Sequence, residues 1–485
     1  MSGTTQRSPA LAYSPRAEVK DRPGNAPQAC APVGEVAGDS ELTQPLSLRT
    51  NVSWVFVGNV VYAVSRWAMV VALANLGSTE VVGLVVLAFA LGAPLYSLSN
   101  LGLRGALVTD VKRQYGFQDY LSLRLITSVL ALLVVAGMVW SMGYNADLVL
   151  LTIIAGLGKL FESVSDIFHG LLQRQERMDR IAMALVMREP AAVFSLAVGL
   201  YVTGDVVWSM VGFPVAMAAT LFLYDIPNAA LMLRASGSGR ASGRTTEQPD
   251  RLAPRWHVRT MLGLLWLCVP LGVIMSMITL AVNIPRYAVE YYLGETALGV
   301  FASITYIFTA PGTLITAIGQ SASPRLAKHY AAGDVAAYCG LLGKLLAVVA
   351  AVGFGMVVVM AAAGRPILRW LYGAEFVDFA PLAVHLMLAS ALTNLCGPLG
   401  RAVDSARQFW THMFIRTAGI LVLLGLLPSL VQARGLEGAS TAILVSAGVS
   451  IVLYSAAISF ALARLRRPAG ITVGHLTLRA GMDER

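Results

Sequence analysis

From residue 51 to residue 462 the chain alternates between apolar stretches and short polar connections. The apolar stretches run to about 20 residues, the length a helix needs to cross the hydrocarbon core of a bilayer. None shows the two-residue alternation of a membrane barrel, and hydrocarbon offers backbone N–H and C=O groups no partner outside the helix itself. The pattern predicts an all-α polytopic membrane protein. Twelve spans are expected, at about 51–74, 81–103, 123–141, 148–170, 184–203, 207–233, 261–283, 297–320, 336–363, 380–400, 411–432 and 438–462.

The flanking segments are different material. Residues 1–46 are rich in Pro, Ser, Ala and Gly with mixed charge and no apolar core, which predicts a disordered tail and not a cleavable signal peptide. The stretch 234–260 contains ASGSGRASGRTTEQPD, a Gly/Ser-rich linker between two halves. The expected organisation is an N-lobe at 47–233, the linker, a C-lobe at 261–465 and a polar tail at 466–485. A repeat supports two halves. Leu76-Gly77 recurs as Leu293-Gly294, Pro94 recurs as Pro311 at the same offset, and the second spans end alike in NLGLRGALVTD and GQSASPRLAKHY. Two pseudo-symmetric six-helix lobes around a central cavity follow, with mid-helix prolines as bending points.

Charge then sets orientation. On one side the connections carry Arg104, Lys112, Arg113 and Arg124, then Arg174, Arg177, Arg180 and Arg188, then the arginines of the linker. The other side holds Arg286, Arg365, Arg369 and Arg434. Such asymmetry places both termini and the linker in the cytoplasm, in the inner membrane of a bacterium. Composition closes off other classes. Of 485 residues 56% are hydrophobic and 13% charged, with mean hydropathy +0.67, too apolar for a soluble domain. The net charge of +9 belongs to these membrane-flanking loops, so nucleic acid is not an expected partner. Cys30, Cys268, Cys339 and Cys396 lie far apart without a CxxC or a histidine cluster, so neither metal nor disulfide is indicated.

Ionisable residues within spans are costly and mark candidate function. Asn59 and Arg66 sit seven residues apart on one face of the first span. Arg66 reads either as lining a cavity or as snorkelling to the interface. Asn283 falls at the repeat-equivalent position of Arg66, with Arg286 one turn beyond; if the lobes face each other, Arg66 and Arg286 converge. Guanidinium pairs of this kind suit a diphosphate, and an ordinary interfacial Arg286 is the alternative. The fourth span stacks Lys159, Glu162, Asp166 and His169 on one face. Lys159 and Glu162 either neutralise each other or form a hydrophilic stripe on a cavity wall, with Glu162 or His169 able to exchange protons. The basic run after it, at 173–177, meets anionic lipid head groups.

Three segments carry a family resemblance: KLFESVSDIFHGLLQRQERMDRIA at the end of the fourth span, PRLAKHYAAGD at 324–334 and LYGAEF at 371–376. With the six-plus-six layout, residues 48–465 resemble the Wzx-type polysaccharide repeat-unit flippases of the multidrug/oligosaccharidyl-lipid/polysaccharide exporter superfamily. The resemblance implies a non-enzymatic transporter that moves an undecaprenyl-diphosphate-linked oligosaccharide to the periplasmic leaflet by alternating access. It implies no bound cofactor beyond a proton or sodium gradient. Arg66 and Arg286 would contact the diphosphate or acidic sugars; Lys159, Glu162 and Asp166 would line the inner mouth. A polysaccharide polymerase and a chain-length regulator are the implied partners. A cation-coupled multidrug exporter remains a rival, although such exporters want an acid in the first span, where this chain has Arg66. A lipid II flippase usually has extra C-terminal helices. A membrane polymerase or glycosyltransferase needs a large external loop, and the longest expected here is 364–379.

Overall fold

The computed structural model describes residues 46–110, 114–238, 252–307, 309–406 and 408–466. Nearly all of the expected N-terminal tail, the middle of the linker, the C-terminal tail, Lys112, Arg113 and the side chain of Pro311 lie outside the described residues. Every regular element among the described residues is helical.

The N-half comprises α1 (Leu48–Leu76), α2 (Thr79–Asn100), α3 (Leu103–Thr109), α4 (Phe117–Ser141), α5 (Ala146–Arg174), α6 (Met178–Thr203), α7 (Val206–Met210), α8 (Gly212–Thr220) and α9 (Ile226–Ser238). The C-half comprises α10 (Val258–Tyr306), α11 (Thr309–Ala331), α12 (Val335–Tyr372), α13 (Ala380–Ser405) and α14 (Phe409–Arg466). Local chemistry starts several of them. The side chains of Ser47, Ser78, Asn145, Asp205 and Asp334 each accept from a backbone N–H of the first turn, satisfying donors that the helix cannot.

Ten helices among the described residues are long and apolar enough to cross a membrane. Two of them are far longer than a crossing requires. In α10, Gly294 adopts φ 85°, ψ 179°; in α14, Gly435 adopts φ 58°, ψ −134°. Both lie in the left-handed region that glycine enters without a Cβ penalty. The chain turns back on itself at each. A Cβ on Gly438 would fall 1.9 Å from the Leu430 carbonyl, and the Arg286 guanidinium lies 5.5 Å from the Tyr306 ring centroid. Along an unbroken helix, at about 1.5 Å per residue, those pairs would stand roughly 12 and 30 Å apart. Divided at these glycines, α10 and α14 each hold two helical segments.

The helices overrun the expected spans. α4 begins at Phe117 and α6 at Met178, so Arg124 and Arg188, set at the edges of their expected spans and counted with the basic connections, lie two to three turns inside helices and are only 0% and 5% exposed. Each is drawn in by carboxylates of neighbouring helices. The external loop expected at 364–379 is mostly helix: α12 runs through Tyr372, and a 3₁₀ turn, Ala374–Phe379, leads into α13. Pro366 and Ala363 (φ −127°, ψ 16°) bend α12 instead of ending it.

Within the N-half α1 packs on α6 and α4 on α5; within the C-half α13 packs between α12 and α14. The seam is α2 against α10. Along it Ser276 donates to the Pro94 carbonyl at 2.9 Å and Thr279 to Ser97 Oγ at 2.9 Å. Near the ends of α1 and α2 the approach is closest. Gly83 and Gly299 face each other with no room for a side chain, a Cβ on either falling within 1.9 Å of the opposite backbone. Asn75 donates to the Leu371 carbonyl at 2.7 Å and Tyr144 to Glu290 at 3.4 Å, closing the halves at the end that carries few basic loops. A π-turn at Leu221–Asp225 joins α8 to α9 and directs Asp225 inward, where it is fully buried.

Candidate functional site

The charged residues of the N-half meet in one buried cluster between α1, α2, α5, α6 and the π-turn. Its hub is Glu162 on α5. Lys159 Nζ donates to it at 2.7 Å, Arg66 Nη2 lies 3.5 Å away and Arg188 Nη2 4.0 Å away. Glu189 on α6 is shared by Arg66 Nε at 3.3 Å and Arg188 Nε at 3.1 Å. The Arg66 guanidinium is also enclosed by aromatic rings, 5.1 Å from the Tyr62 centroid and 5.4 Å from that of Phe213, where ring faces favour a cation.

A second layer lies one to two turns along α5. Asp166 is bound by Arg104 Nη1 at 3.0 Å and Arg124 Nη2 at 3.3 Å. Arg124 also donates to Asn100 Oδ1 at 2.5 Å, which accepts from Ser163 at 2.7 Å. His169 Nε2 stands 3.2 Å from Asp225 Oδ1, Ser165 donates to Asp225 Oδ2, and Arg188 Nη1 reaches Ser165 Oγ at 3.3 Å. A cavity of about 290 Å³ elsewhere is larger, but the one of about 210 Å³ lined by Asn100, Arg104, Lys159, Glu162, Asp166, His169 and Arg188 opens on this cluster.

The structure thus brings together Arg66, Lys159, Glu162, Asp166 and His169 from the residues singled out in the sequence. Arg66 and Arg286 form no pair with each other, but both stand by Tyr306, which interacts electrostatically with Arg66 and lies 5.5 Å from the Arg286 guanidinium. Arg286 donates to Asn283 Oδ1 at 3.0 Å, stacks over Tyr306 and lines the 290 Å³ cavity in the C-half. Asn283 is buried and donates to the Thr279 carbonyl at 2.8 Å. Asn59 is exposed, while Arg66, two turns along, is buried. Sequence reasoning missed Arg188, Glu189 and Asp225 as members of the cluster. The readable signal was the charged pair Arg188-Glu189 set directly before Pro190 within an apolar stretch, ALVMREPAAVFSL.

Burial at these distances requires pairing, and the cluster provides it. Every carboxylate in it has at least one basic partner: Glu162 three, Glu189 and Asp166 two each, and Asp225 His169. The arrangement is polar, water-accessible on the side of the cavity and rich in guanidinium.

Against known proteins, the profile of a family described as polysaccharide biosynthesis protein matches residues 72–381. The chain belongs to this polysaccharide biosynthesis family. A relative within reach of sequence comparison is the capsular polysaccharide biosynthesis protein CapF of Staphylococcus aureus, 23% identical over 419 residues, covering 83% of this chain and 97% of CapF. Among solved structures, the lipid II flippase MurJ in an inward closed conformation superposes with a TM-score of 0.64 at 12% identity, over 86% of this chain and 90% of MurJ. An inward-facing multidrug-resistance MATE transporter of the MOP superfamily superposes with a TM-score of 0.58 at 16% identity, over 89% of this chain and 99% of that one. This member of the polysaccharide biosynthesis family therefore has the two-lobed fold of MOP transporters and is a multi-pass membrane protein.

Proposed function

We propose that the chain is a flippase that carries a polyprenyl-diphosphate-linked oligosaccharide, such as an undecaprenyl-diphosphate-linked repeat unit, across the bacterial inner membrane by alternating access. The observation that carries this reading is the charge balance of the N-half cluster, in which Arg66, Lys159, Arg104, Arg124 and Arg188 outnumber Glu162, Glu189, Asp166 and Asp225. A cation exporter needs the opposite excess. The glycan end of the molecule, with the phosphate joined to it, needs hydrogen-bond donors and positive charge, and this cluster supplies both. The closure by Gly83, Gly299, Asn75 and Tyr144 at one end supports an inward-facing state whose outer gate is shut. No covalent chemistry is required of the chain. Energy comes from a proton or sodium gradient. Glu162 and His169 are the cluster's candidates for coupling to such a gradient. A polysaccharide polymerase and a chain-length regulator would receive the flipped unit.

Expressed in a flippase-null host with a matching glycan pathway, the protein should restore surface polysaccharide and leave dye efflux unchanged. Dye efflux without glycan would overturn the reading. Both termini should be cytoplasmic. Reporter fusions after Leu233 and after Arg466 are expected to give cytoplasmic signals, and a periplasmic signal from either contradicts the orientation.

A further inference from the structure

The cavity of about 290 Å³ in the C-half plays no part in the cluster described above. Its walls come from α10, α13 and α14 and are mostly apolar, with Phe301, Leu386, Ile420 and Leu423 among them. Among the described residues no carboxylate lines it, yet two arginines do, Arg286 and Arg416. Neither has a carboxylate within ion-pair distance among the described residues. Arg286 has Asn283 and the Tyr306 ring. Arg416 Nε donates to His412 Nε2 at 3.4 Å, and His412 Nδ1 lies 2.7 Å from Asp404 Oδ1, so the carboxylate steadies the imidazole and the imidazole the guanidinium. Tyr454, only 1% exposed, shares the wall with Arg416, and its hydroxyl sits beside the Arg416 guanidinium with its own proton free to donate.

Guanidinium stays charged at any physiological pH, and a charge on an apolar wall is costly until an anion meets it. A sugar alone matches neither the apolar wall nor the two cations. A small inorganic anion has no use for Phe301 and Leu423. An amphipathic anion matches both. The volume, at the lower end for a small-molecule site, has room for one chain and not for the paired chains of a phospholipid.

We infer that this cavity binds the lipid end of the transported molecule: the isoprenoid segment next to the phosphate of a polyprenyl-phosphate carrier. Arg416 and Arg286 are its phosphate contacts, the Tyr454 hydroxyl a third donor, and His412 a positioning residue for Arg416. The inference rests on the flippase reading and divides the labour of the two halves. The polar N-half cluster takes the glycan side, and the apolar C-half cavity takes the carrier.

The test uses the full-length protein in detergent and geranylgeranyl diphosphate as probe, with binding followed by titration calorimetry. The wild type should bind saturably. Arg416→Ala, which removes a cation, and Thr393→Trp, which fills the cavity from an exposed position, should each weaken binding about tenfold or more, a loss of about 1.4 kcal/mol. Thr393→Trp guards against the case in which Arg416→Ala fails to fold. Geranylgeraniol, which lacks the phosphates, should bind more weakly, and dioleoylphosphatidylglycerol should not compete. Absence of wild-type binding, or wild-type affinity in both variants, overturns the inference. So does equal competition by phosphatidylglycerol, which would make the cavity an ordinary lipid site. The flippase reading is judged separately by glycan rescue in the null host. If the wild type restores glycan and the binding data fail, this inference alone falls.

Discussion

Arg66→Ala should abolish surface polysaccharide in the complementation assay and also lower the amount of folded protein. The second effect comes from the surroundings of Arg66. Its loss removes one of two bases from Glu189, which is 2% exposed, and one of three from Glu162. Removing one member of a buried ion pair costs about 3–5 kcal/mol, because the remaining charge is left in a medium that solvates it poorly. Arg188 stays beside both carboxylates, so the loss should fall at or below the lower end of that range. A double variant separates fold from function. Arg66→Ala with Glu189→Gln removes the charge on both sides and should recover abundance and melting temperature while surface polysaccharide stays absent. Recovery of polysaccharide along with abundance would mean that Arg66 only props up the fold. Lys at position 66 keeps the charge but loses the planar fork that spans Glu162 and Glu189, and partial activity is expected.

Gly299→Val should hold the outer gate open. A Cβ at residue 299 falls 1.8 Å from the Thr79 carbonyl oxygen, far inside contact distance, and the opposing atom is backbone, which cannot swing aside as a side-chain tip does. The ends of α2 and α10 must therefore separate, and the state closed at that end loses stability relative to the open one. Val86, 1% exposed and one turn from Gly83, reports the change. As cysteine in an otherwise cysteine-free background it should be unreactive to an impermeant maleimide added outside intact cells. In the Gly299→Val background its labelling rate should rise by about tenfold or more, the equivalent of a shift of about 1.4 kcal/mol between the two states. Surface polysaccharide should fall with it, since a carrier held open on one face cannot cycle. Unchanged labelling would show that the glycine contact is not the gate.

The crossings were legible because lipid imposes a single solution on an apolar stretch, and the charged stripe on α5 was legible because helical spacing puts its residues on one face. Helix ends were not. Arg124 and Arg188 look like loop residues in a sequence because charge usually ends a crossing; in the structure Asp166 and Glu162 on α5 accept them, and partners on another helix leave no trace in local pattern. The same limit explains Asp225, whose partners His169 and Ser165 lie more than fifty residues away. A repeat offset relates positions along two helices but not the rotation of each about its own axis: Arg66 turns into α5 and α6 and Arg286 to Asn283, and the neighbour they share is Tyr306.

The π-turn at Leu221–Asp225 gives the sixth crossing one residue of slack that a regular α-helix lacks. An α-helix rotates about 100° per residue, and a π-turn accommodates one residue more than the α-turn it replaces. On one side of it Asp225 is committed to His169 and Ser165; just beyond, Asn228 accepts from Arg180 and donates to the Tyr224 carbonyl at 2.7 Å. Deleting Leu223, whose side chain is exposed, would let the turn relax to a plain α-turn with α8 and α9 still in phase. A further inserted residue has no such slack and would swing α8 about 100° out of phase with α9, so that either the Asp225 carboxylate or the packing of α8 would lose its place. At this point the reading frame of the helix, more than the identity of its side chains, is what an insertion or deletion would test.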